Sequence, residues 1–205
     1  HPRYGAAGMS NGRARHGKLL GRTDVADGRN SELWAFMLAV YARPGVADAC
    51  LRLQEAHGLD VILLLTVLHG GVTGHIADPQ QIQDLEQDCS EWRKTVVHPL
   101  RKARRAMKQH VWLKQHAKGQ VLRERVKAAE LDAERIQALF GEEKVLGIQM
   151  SSALENAEKL GTLADMVLDL YDLYRPVRLS EDVLTIVNGV RSEERRVGKE
   201  CRSRW

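Results

Sequence analysis

The fold of this chain is decided by residues 33–68, LWAFMLAVYARPGVADACLRLQEAHGLDVILLLTVL. They contain two runs without a charged residue, Leu33–Ala42 and Val61–Leu68, joined by a segment with helical character. Each run is shorter than the roughly 20 apolar residues that span a bilayer, and each is apolar on every side. A helix that is hydrophobic on all sides must be buried by other elements. The two runs therefore predict the centre of a helical domain.

Short motifs between residues 31 and 140 form a pattern. They are Leu33-Trp34, Phe36, Tyr41, Arg43-Pro44-Gly45-Val46, Ala49-Cys50-Leu51, Leu53-Gln54, Gly58-Leu59-Asp60-Val61, Trp92-Arg93, Val96-Val97, Pro99-Leu100-Arg101, Arg104-Arg105, Ala129-Glu130-Leu131 and Glu134-Arg135. This pattern resembles a bacterial family that is described only as a conserved domain of unknown function. The resemblance implies a small cytoplasmic helical protein and supplies no known catalytic residues.

The sequence predicts an all-α fold, a single compact domain of about six or seven helices. Ser31 or Asn30 can cap the first helix, because its side-chain oxygen can accept from an amide that the helix start leaves unpaired. Asp60 begins the third helix and Asp78-Pro79 begins the fourth, with the proline in the first turn, where no backbone donor is needed. No segment shows the alternation of a strand.

Glycine and proline residues predict where the helices end or bend. The pairs Gly70-Gly71, Lys118-Gly119 and Asn188-Gly189 each predict a helix end or a break between helices. Pro99 lacks a backbone donor and crowds the carbonyl of Thr95. This proline therefore predicts a kink in a central helix.

Apolar residues spaced three and four apart predict which helix faces are buried. One predicted stripe precedes Pro99, a second follows it, and a third lies beyond residue 119. The stripes are Ile82, Leu85, Cys89, Trp92 and Val96; then Leu100, Ala103, Met107 and Val111; then Leu122, Val126, Ala129, Ala133, Ile136 and Phe140.

Composition divides the chain into four parts. Residues 1–30 are rich in Gly, Arg, Asn and Asp without an apolar period, which predicts a flexible leader. Residues 31–140 are the predicted helical core domain, and residues 141–190 are a predicted C-terminal helical extension. Residues 191–205, RSEERRVGKECRSRW, resemble the translation of a sequencing adapter over their whole length. We therefore expect this last segment to be foreign to the protein.

Positive charge is concentrated in one internal segment. The two ends, residues 1–24 and 191–205, carry net charges of +4 and +3 and are set aside. Between them, residues 25–92, 93–127 and 128–190 carry net charges of −7, +11 and −7. The basic isoelectric point therefore belongs to the ends, and the interior of the chain alternates in sign.

The basic segment contains the candidate binding residues. At helical spacing they are Arg101, Arg104, Arg105 and Lys108, with Trp112 one turn further on. We expect this face to lie opposite the apolar stripe that begins at Leu100. Such a face can bind phosphates while the aromatic ring stacks on a base. One hypothesis is therefore a nucleic-acid-binding module that uses the basic helix 101–112.

The favoured hypothesis is that the acidic segments fold around the basic helix, within one subunit or across a dimer. Surface ion pairs contribute at most about 1 kcal/mol each, but they can select a partner and its orientation. We therefore predict a non-catalytic helical interaction or accessory protein. Its partner would be another protein or a second copy of this chain, and nucleic acid is the alternative partner.

No recognisable catalytic or metal-binding motif accompanies these features. The sequence lacks a nucleophile elbow, a Gly-rich phosphate loop and paired carboxylates, so we expect no catalysis and no cofactor. A small-molecule enzyme would need polar groups that converge in a pocket. His57, His69 and His75 lack the tight spacing of zinc ligands, so no metal is predicted. Cys50 and Cys89 lie on apolar stripes and, without a secretory segment, indicate a reducing cytosol; no membrane attachment is expected.

Overall fold

The computed structural model describes residues 31–152, 157–171 and 177–202. These residues form helices and no strand, which confirms the all-α class. In chain order the elements are α1 (Glu32–Tyr41), α2 (Val46–His57), α3 (Val61–Thr73), α4 (Pro79–Trp92), a π turn (Arg93–Val97), α5 (His98–Gln109), α6 (Val111–Lys114), α7 (Ala117–Leu146), α8 (Ala157–Asp169) and α9 (Val177–Arg202). No described helix is both long and apolar enough to cross a membrane.

Three helices begin where the sequence predicts, and each start is capped by a polar side chain. The Ser31 hydroxyl accepts the amide N–H three residues ahead at 3.0 Å, at the start of α1. Asp60 accepts the N–H of Ile62 at 2.9 Å, at the start of α3. Asp78 and Gln81 form a reciprocal capping box at the start of α4. Each cap pairs an amide that helix geometry leaves without a partner.

The core is built around α3, as the two apolar runs predict. Every residue of α3 from Leu63 to Gly71 is buried, and so is Val61. Helix α1 contributes buried side chains at Leu33, Trp34, Met37 and Val40. Helix α3 contacts α1, α2, α4, α7, α8 and α9. A helix that is apolar on every side is stable here because other helices cover every side.

The prediction that Gly70-Gly71 ends α3 is wrong. The helix continues to Thr73 and ends at Gly74, whose φ of 88° lies in the left-handed region that favours glycine. A Cβ atom on Gly70 would lie 2.6 Å from the carbonyl oxygen of His75 and 2.7 Å from Cγ1 of Val145. Gly70 therefore permits close packing in the middle of the core and does not terminate the helix.

Pro99 accompanies a bend in the central helix, as predicted. Helices α4 and α5 and the π turn between them form one bent helix over residues 79–109. In the π turn the N–H of His98 bonds to the carbonyl of Arg93, five residues back. This turn is wider than an α-helical turn, and it lies directly before the proline ring, which would crowd a regular helix.

The π turn shifts the buried face of this helix by one residue. Cys89 is buried as predicted, but the next buried side chains are Arg93 and Val97. The predicted positions Trp92 and Val96 are only half-buried. The Trp92 ring nitrogen donates to a backbone carbonyl of α7 at 3.0 Å. An arginine therefore enters the interior at a place where the sequence pattern predicts an apolar side chain.

The predicted apolar stripe that begins at Leu100 is wrong at two of its four positions. Ala103 is exposed, and 74% of Val111 is exposed. The half-buried positions of α5 are Leu100, Arg101, Arg104 and Met107. The helix packs against α7, and two of the predicted binding arginines face that neighbour. A count of apolar residues misses this face because half of its members are charged.

The third stripe is wrong at three of its six positions, Leu122, Ala129 and Ile136, which are exposed. Among its residues only Ala133 is fully buried, while half of Ile136 and 47% of Leu122 are exposed. The buried residues of α7 are Gly119, Glu130, Ala133, Gln137, Ala138, Gly141 and Val145. The break predicted at Lys118-Gly119 lies instead at His110 and His116, on either side of the single turn α6. Gly119 lies within α7 and packs closely against α6, since a Cβ atom on it would lie 2.7 Å from Cγ of Leu113.

The C-terminal helices complete the same hydrophobic core. Their buried residues are Leu160, Leu163, Ala164, Val167 and Leu168 in α8 and Val183, Ile186, Val187 and Val190 in α9. Helix α7 crosses the boundary predicted at residue 140, and the division into core and extension stays a prediction. Helix α9 continues past Asn188-Gly189, where the sequence predicts its end. Gly189 serves close packing instead, because a Cβ atom there would lie 2.8 Å from Cγ2 of Val46.

The structure describes part of the C-terminal end of the chain but not the N-terminal end. The predicted leader, residues 1–30, lies outside the described residues. Helix α9 continues into the predicted foreign tail as far as Arg202. There the Glu193 carboxylate accepts from Arg43 at 2.5 Å. The foreign origin of residues 191–205 stays a prediction.

Candidate functional site

A buried carboxylate on α7 lies between two arginines of α5. Glu130 is 5% exposed and lies on the face of α7 that packs against α5. Arg101 donates from Nε to Glu130 at 2.9 Å, and Arg104 donates to Glu130 from Nε and, at 3.1 Å, from Nη2. Arg101 also donates to Glu134 at 2.5 Å. Two arginines and two carboxylates thus join the two helices in one charge-assisted network.

Helix α2 extends this network to the surface. With its amide oxygen turned towards Arg101, Gln54 accepts from that guanidinium at 3.1 Å. Arg105 donates to Glu55 at 2.7 Å, but both side chains are about half exposed. This last pair resembles the surface ion pairs that contribute little stability. The buried part of the network is therefore the part centred on Glu130.

A second polar cluster lies where the π turn meets α3. The guanidinium of Arg93 donates to Asp60, which is 5% exposed, and to Glu86 at 3.0 Å. The Tyr171 hydroxyl donates to the same Glu86 carboxylate at 2.9 Å. Gln137 donates to Asp60 at 2.5 Å. Since Asp60 also caps α3, this one carboxylate connects α3, the π turn and α7.

Burial and ion pairing act in opposite directions on the charged groups. Burial raises the pKa of the Glu130 carboxyl, but the hydrogen bonds from Arg104 and Arg101 outweigh it, and the pKa lies below its usual value. Burial raises the pKa of Glu134 above its usual value, and Arg101 offsets only part of that rise. Burial alone would lower the pKa of Arg93, yet its contacts with Glu86 and Asp60 raise it overall. Glu130 and Arg93 therefore favour their charged forms inside the fold.

The sequence-predicted binding residues fall into two groups. Arg101, Arg104 and Arg105 all donate to carboxylates of α2 or α7. Lys108 is exposed and forms no ion pair with the described residues. Trp112 is 58% exposed and lies edge-on to two histidine rings, with centroid distances of 5.3 and 5.6 Å. The structure therefore does not gather the five residues into one open surface.

Several residues of these clusters escape the sequence patterns. Asp60 is predicted as the start of a helix, but its pairing depends on residues 33 and 77 positions away. Glu130 and Glu134 are one helical turn apart, a spacing that usually indicates a solvated face. Only the net charges of −7, +11 and −7 along the interior of the chain point to pairing between these segments.

A groove with a volume of about 970 Å³ opens beside the Glu130 network. Its lining residues come from α1, α2, the link between α2 and α3, the start of α3, the π turn, α5 and α7. Polar groups of both clusters reach this groove, together with apolar side chains such as Leu38, Tyr41 and Leu51. This is the convergence of polar groups that a small-molecule site requires. The carboxylates of the groove are, however, already paired with arginines.

Among the histidines and cysteines that the sequence singles out, His69, Cys50 and Cys89 are buried, His75 is half-buried and His57 is exposed. His69 is 8% exposed and lies 4.8 Å from the Phe36 ring, and burial lowers its pKa. The His75 ring is hydrogen-bonded to a backbone carbonyl at 2.9 Å. Burial raises the pKa of Cys50 and of Cys89 to about 12, so both thiols stay protonated. Within the described ranges, no three His, Cys, Asp or Glu side chains come together as metal ligands would.

Comparison with known proteins gives one match. The family described as "Protein of unknown function (DUF2390)" matches residues 32–139, from the first residue of α1 into α7. No curated protein and no solved structure matches the chain. The matched segment contains the Glu130 network and the whole bent helix, and it covers more than half of the 205 residues. The chain therefore belongs to the DUF2390 family of proteins of unknown function.

Proposed function

We propose that this protein is a non-catalytic accessory protein of the bacterial cytosol that acts by binding an acidic protein partner. The observation that carries the proposal is a surface formed by α6 and the first turns of α7, here named the tip. Its exposed apolar residues are Val111, Trp112, Val121 and Leu122, with exposed fractions of 74%, 58%, 54% and 47%. Clusters of exposed apolar side chains commonly mark interaction sites.

The charges around the tip indicate what kind of partner it fits. Residues 108–127 hold six Lys or Arg and one acid, Glu124. Lys108, Lys114 and Lys118 are exposed and form no ion pair with the described residues. Unpaired cations attract an acidic partner and repel a basic one. An exposed tryptophan on such a surface is a typical hot-spot residue.

The contacts of the arginines favour a protein partner over nucleic acid. A phosphate at Arg101 or Arg104 would have to displace a Glu130 carboxylate that both arginines already hold. Lys108 and Trp112 are exposed and support nucleic acid as the second candidate. With so few open contacts, we expect only non-specific affinity, a Kd of roughly 10⁻⁴–10⁻⁶ M at physiological salt.

Substitution of the tip tests the proposal. Proteins captured from the bacterial cytosol by the full chain are purified and titrated against it by calorimetry. Trp112→Asp with Leu122→Asp should weaken the partner's binding by about 30-fold or more, because a hot-spot residue contributes about 2 kcal/mol or more. Leu184→Asp is the matched control, since Leu184 is 54% exposed on α9, away from the tip, and it should change binding by less than about twofold.

Two results would contradict the proposal. One is a purified partner that binds the tip variant as tightly as the unmodified protein. The other is submicromolar binding of a short duplex or single-stranded oligonucleotide, steeply dependent on salt and lost in the same variant. The second result would establish nucleic-acid binding through the tip.

A further inference from the structure

We infer that the groove between α1, α2, α5 and α7 binds an amphipathic anion, a free linear molecule with an apolar body and an anionic head group. This inference concerns a different surface from the tip and does not depend on the protein partner. It rests on three properties of the groove: its exposed apolar lining, its excess of cations and its unpartnered buried polar groups.

The lining of the groove exposes an unusual amount of apolar surface. Four large side chains in it stay exposed: Leu38 at 55%, Leu51 at 47%, Tyr41 at 38% and Leu131 at 38%. They come from three helices, α1, α2 and α7. Scattered exposed apolar residues are ordinary, but residues that line one concave site indicate a ligand with an apolar surface.

The size of the groove favours a small molecule. Its volume of about 970 Å³ lies at the upper end of the roughly 300–1,000 Å³ that ligand sites occupy. Such a volume accommodates a linear aliphatic chain with its head group. Because its apolar residues are also exposed to solvent, the groove can admit such a molecule without unfolding the helices around it.

The charges of the groove select an anion. Six Lys or Arg and four Asp or Glu line it, and each of the four carboxylates is bonded to an arginine. Lys102 lines the groove, is exposed and forms no ion pair with the described residues. Lys127 reaches only the exposed Glu124, at 3.9 Å. An anionic head group would therefore find available cations, whereas a cationic one would find no free carboxylate.

Two buried polar groups of the lining lack hydrogen bonds. Trp34 is 8% exposed and its ring N–H has no acceptor, while Gln137 is 3% exposed and its side-chain oxygen has no donor, within the described part of the chain. Both residues line the groove. Buried polar groups are nearly always paired, so unpaired ones beside a cavity indicate a site that gains hydrogen bonds when a polar ligand enters.

The probe is decanoate, kept below the concentration at which it forms micelles, with decanol and a decyltrimethylammonium salt as neutral and cationic counterparts. Calorimetry on the full chain should give one decanoate per chain. Decanol should bind at least about tenfold more weakly, because it lacks the charge-assisted contacts. The cationic probe should bind more weakly still. Decyl phosphate, run alongside, establishes which anionic head group the site prefers.

Two variants test whether decanoate binds in the groove. Lys102→Glu should weaken decanoate by about tenfold, by loss of an attractive charge and gain of a repulsive one. Leu51→Asp should weaken it by about tenfold or more, by loss of apolar contact. The matched controls Lys114→Glu and Leu184→Asp change exposed residues outside the groove and should alter binding by less than about twofold. Circular dichroism verifies that all four variants are folded.

Three outcomes would overturn the inference. They are an absence of decanoate binding at millimolar concentration, equal affinity for decanoate and decanol, and equal weakening by the groove variants and their controls. Sedimentation velocity tests the alternative that the groove binds a second copy of this chain. If decanoate does not bind and Leu51→Asp converts a dimer to a monomer, the groove is a contact between copies of this chain.

Discussion

Replacing Asp60 with alanine is expected to lower the free energy of unfolding by about 3–5 kcal/mol, the cost of removing one partner of a buried ion pair. Asp60 is 5% exposed and performs three tasks. It caps α3, it pairs with Arg93, and it accepts from Gln137. Without it, the buried guanidinium keeps only Glu86 and the first turn of α3 loses its cap. Urea denaturation followed by circular dichroism measures the change.

The control for this prediction is Asp78→Ala. Asp78 caps α4 in the same way, but it is exposed and forms no buried ion pair. Its loss should lower the free energy of unfolding by only about 1 kcal/mol, as the loss of a cap does. Equal losses in the two variants would mean that Asp60 acts as a cap alone and that its buried contacts contribute nothing.

Reversing Arg101, Arg104 and Arg105 to glutamate together is expected to remove at least about 3–5 kcal/mol of stability. The side chains of the first two are only 14% and 24% exposed, and both hold Glu130. In the variant, new carboxylates would face Glu130, which is buried, and Glu134. Thermal unfolding should occur at a much lower temperature, or the chain should not fold.

Three lysines of the same region provide the matched control. Lys102, Lys108 and Lys114 are exposed and form no ion pair with the described residues. Their joint reversal to glutamate changes the net charge by the same amount but should lower the stability by less than about 1.5 kcal/mol, since surface substitutions usually stay within about 0.5 kcal/mol each. If both triple variants lost the same stability, net charge would be responsible and the specific arginine contacts would not.

The sequence predicts the class of this fold and the starts of α1, α3 and α4 well. Caps such as Ser31, Asp60 and Asp78 act within one helical turn, so the signal and the structure it specifies lie together in the chain. The bend at Pro99 is local for the same reason. The all-α core around α3 follows from apolar runs that have no polar side to expose.

The buried faces of α5 and α7 could not be predicted in this way. Glu130 is buried and Arg101 and Arg104 are half-buried, and these charges are tolerated there because each pairs with a group 26 or 29 residues away. Apolar periodicity counts such residues as solvent-facing. Glycine is ambiguous for a similar reason. Gly70 and Gly189 read as helix ends, yet their lack of a side chain serves close packing against a distant element.

The sequence predicts only part of the candidate sites. The charge pattern predicts that acidic helices pair with a basic one, and Arg101, Arg104 and Arg105 do contact carboxylates of α2 and α7. The apolar lining of the groove could not be predicted from the sequence. Leu38, Leu51 and Leu131 come from three helices, and no spacing along the chain indicates that they share one concave surface.

We infer that the arginines of α5 stabilise the fold and do not form a phosphate-binding surface. A double-mutant cycle on Arg104 and Glu130, with alanine at either or both positions, measures this stabilisation through the free energy of unfolding in urea. The exposed pair Arg105 and Glu55 provides the control cycle, with an expected coupling of about 1 kcal/mol or less. For Arg104 and Glu130 we predict a coupling of about 1–3 kcal/mol. Additivity within about 0.3 kcal/mol would contradict the claim.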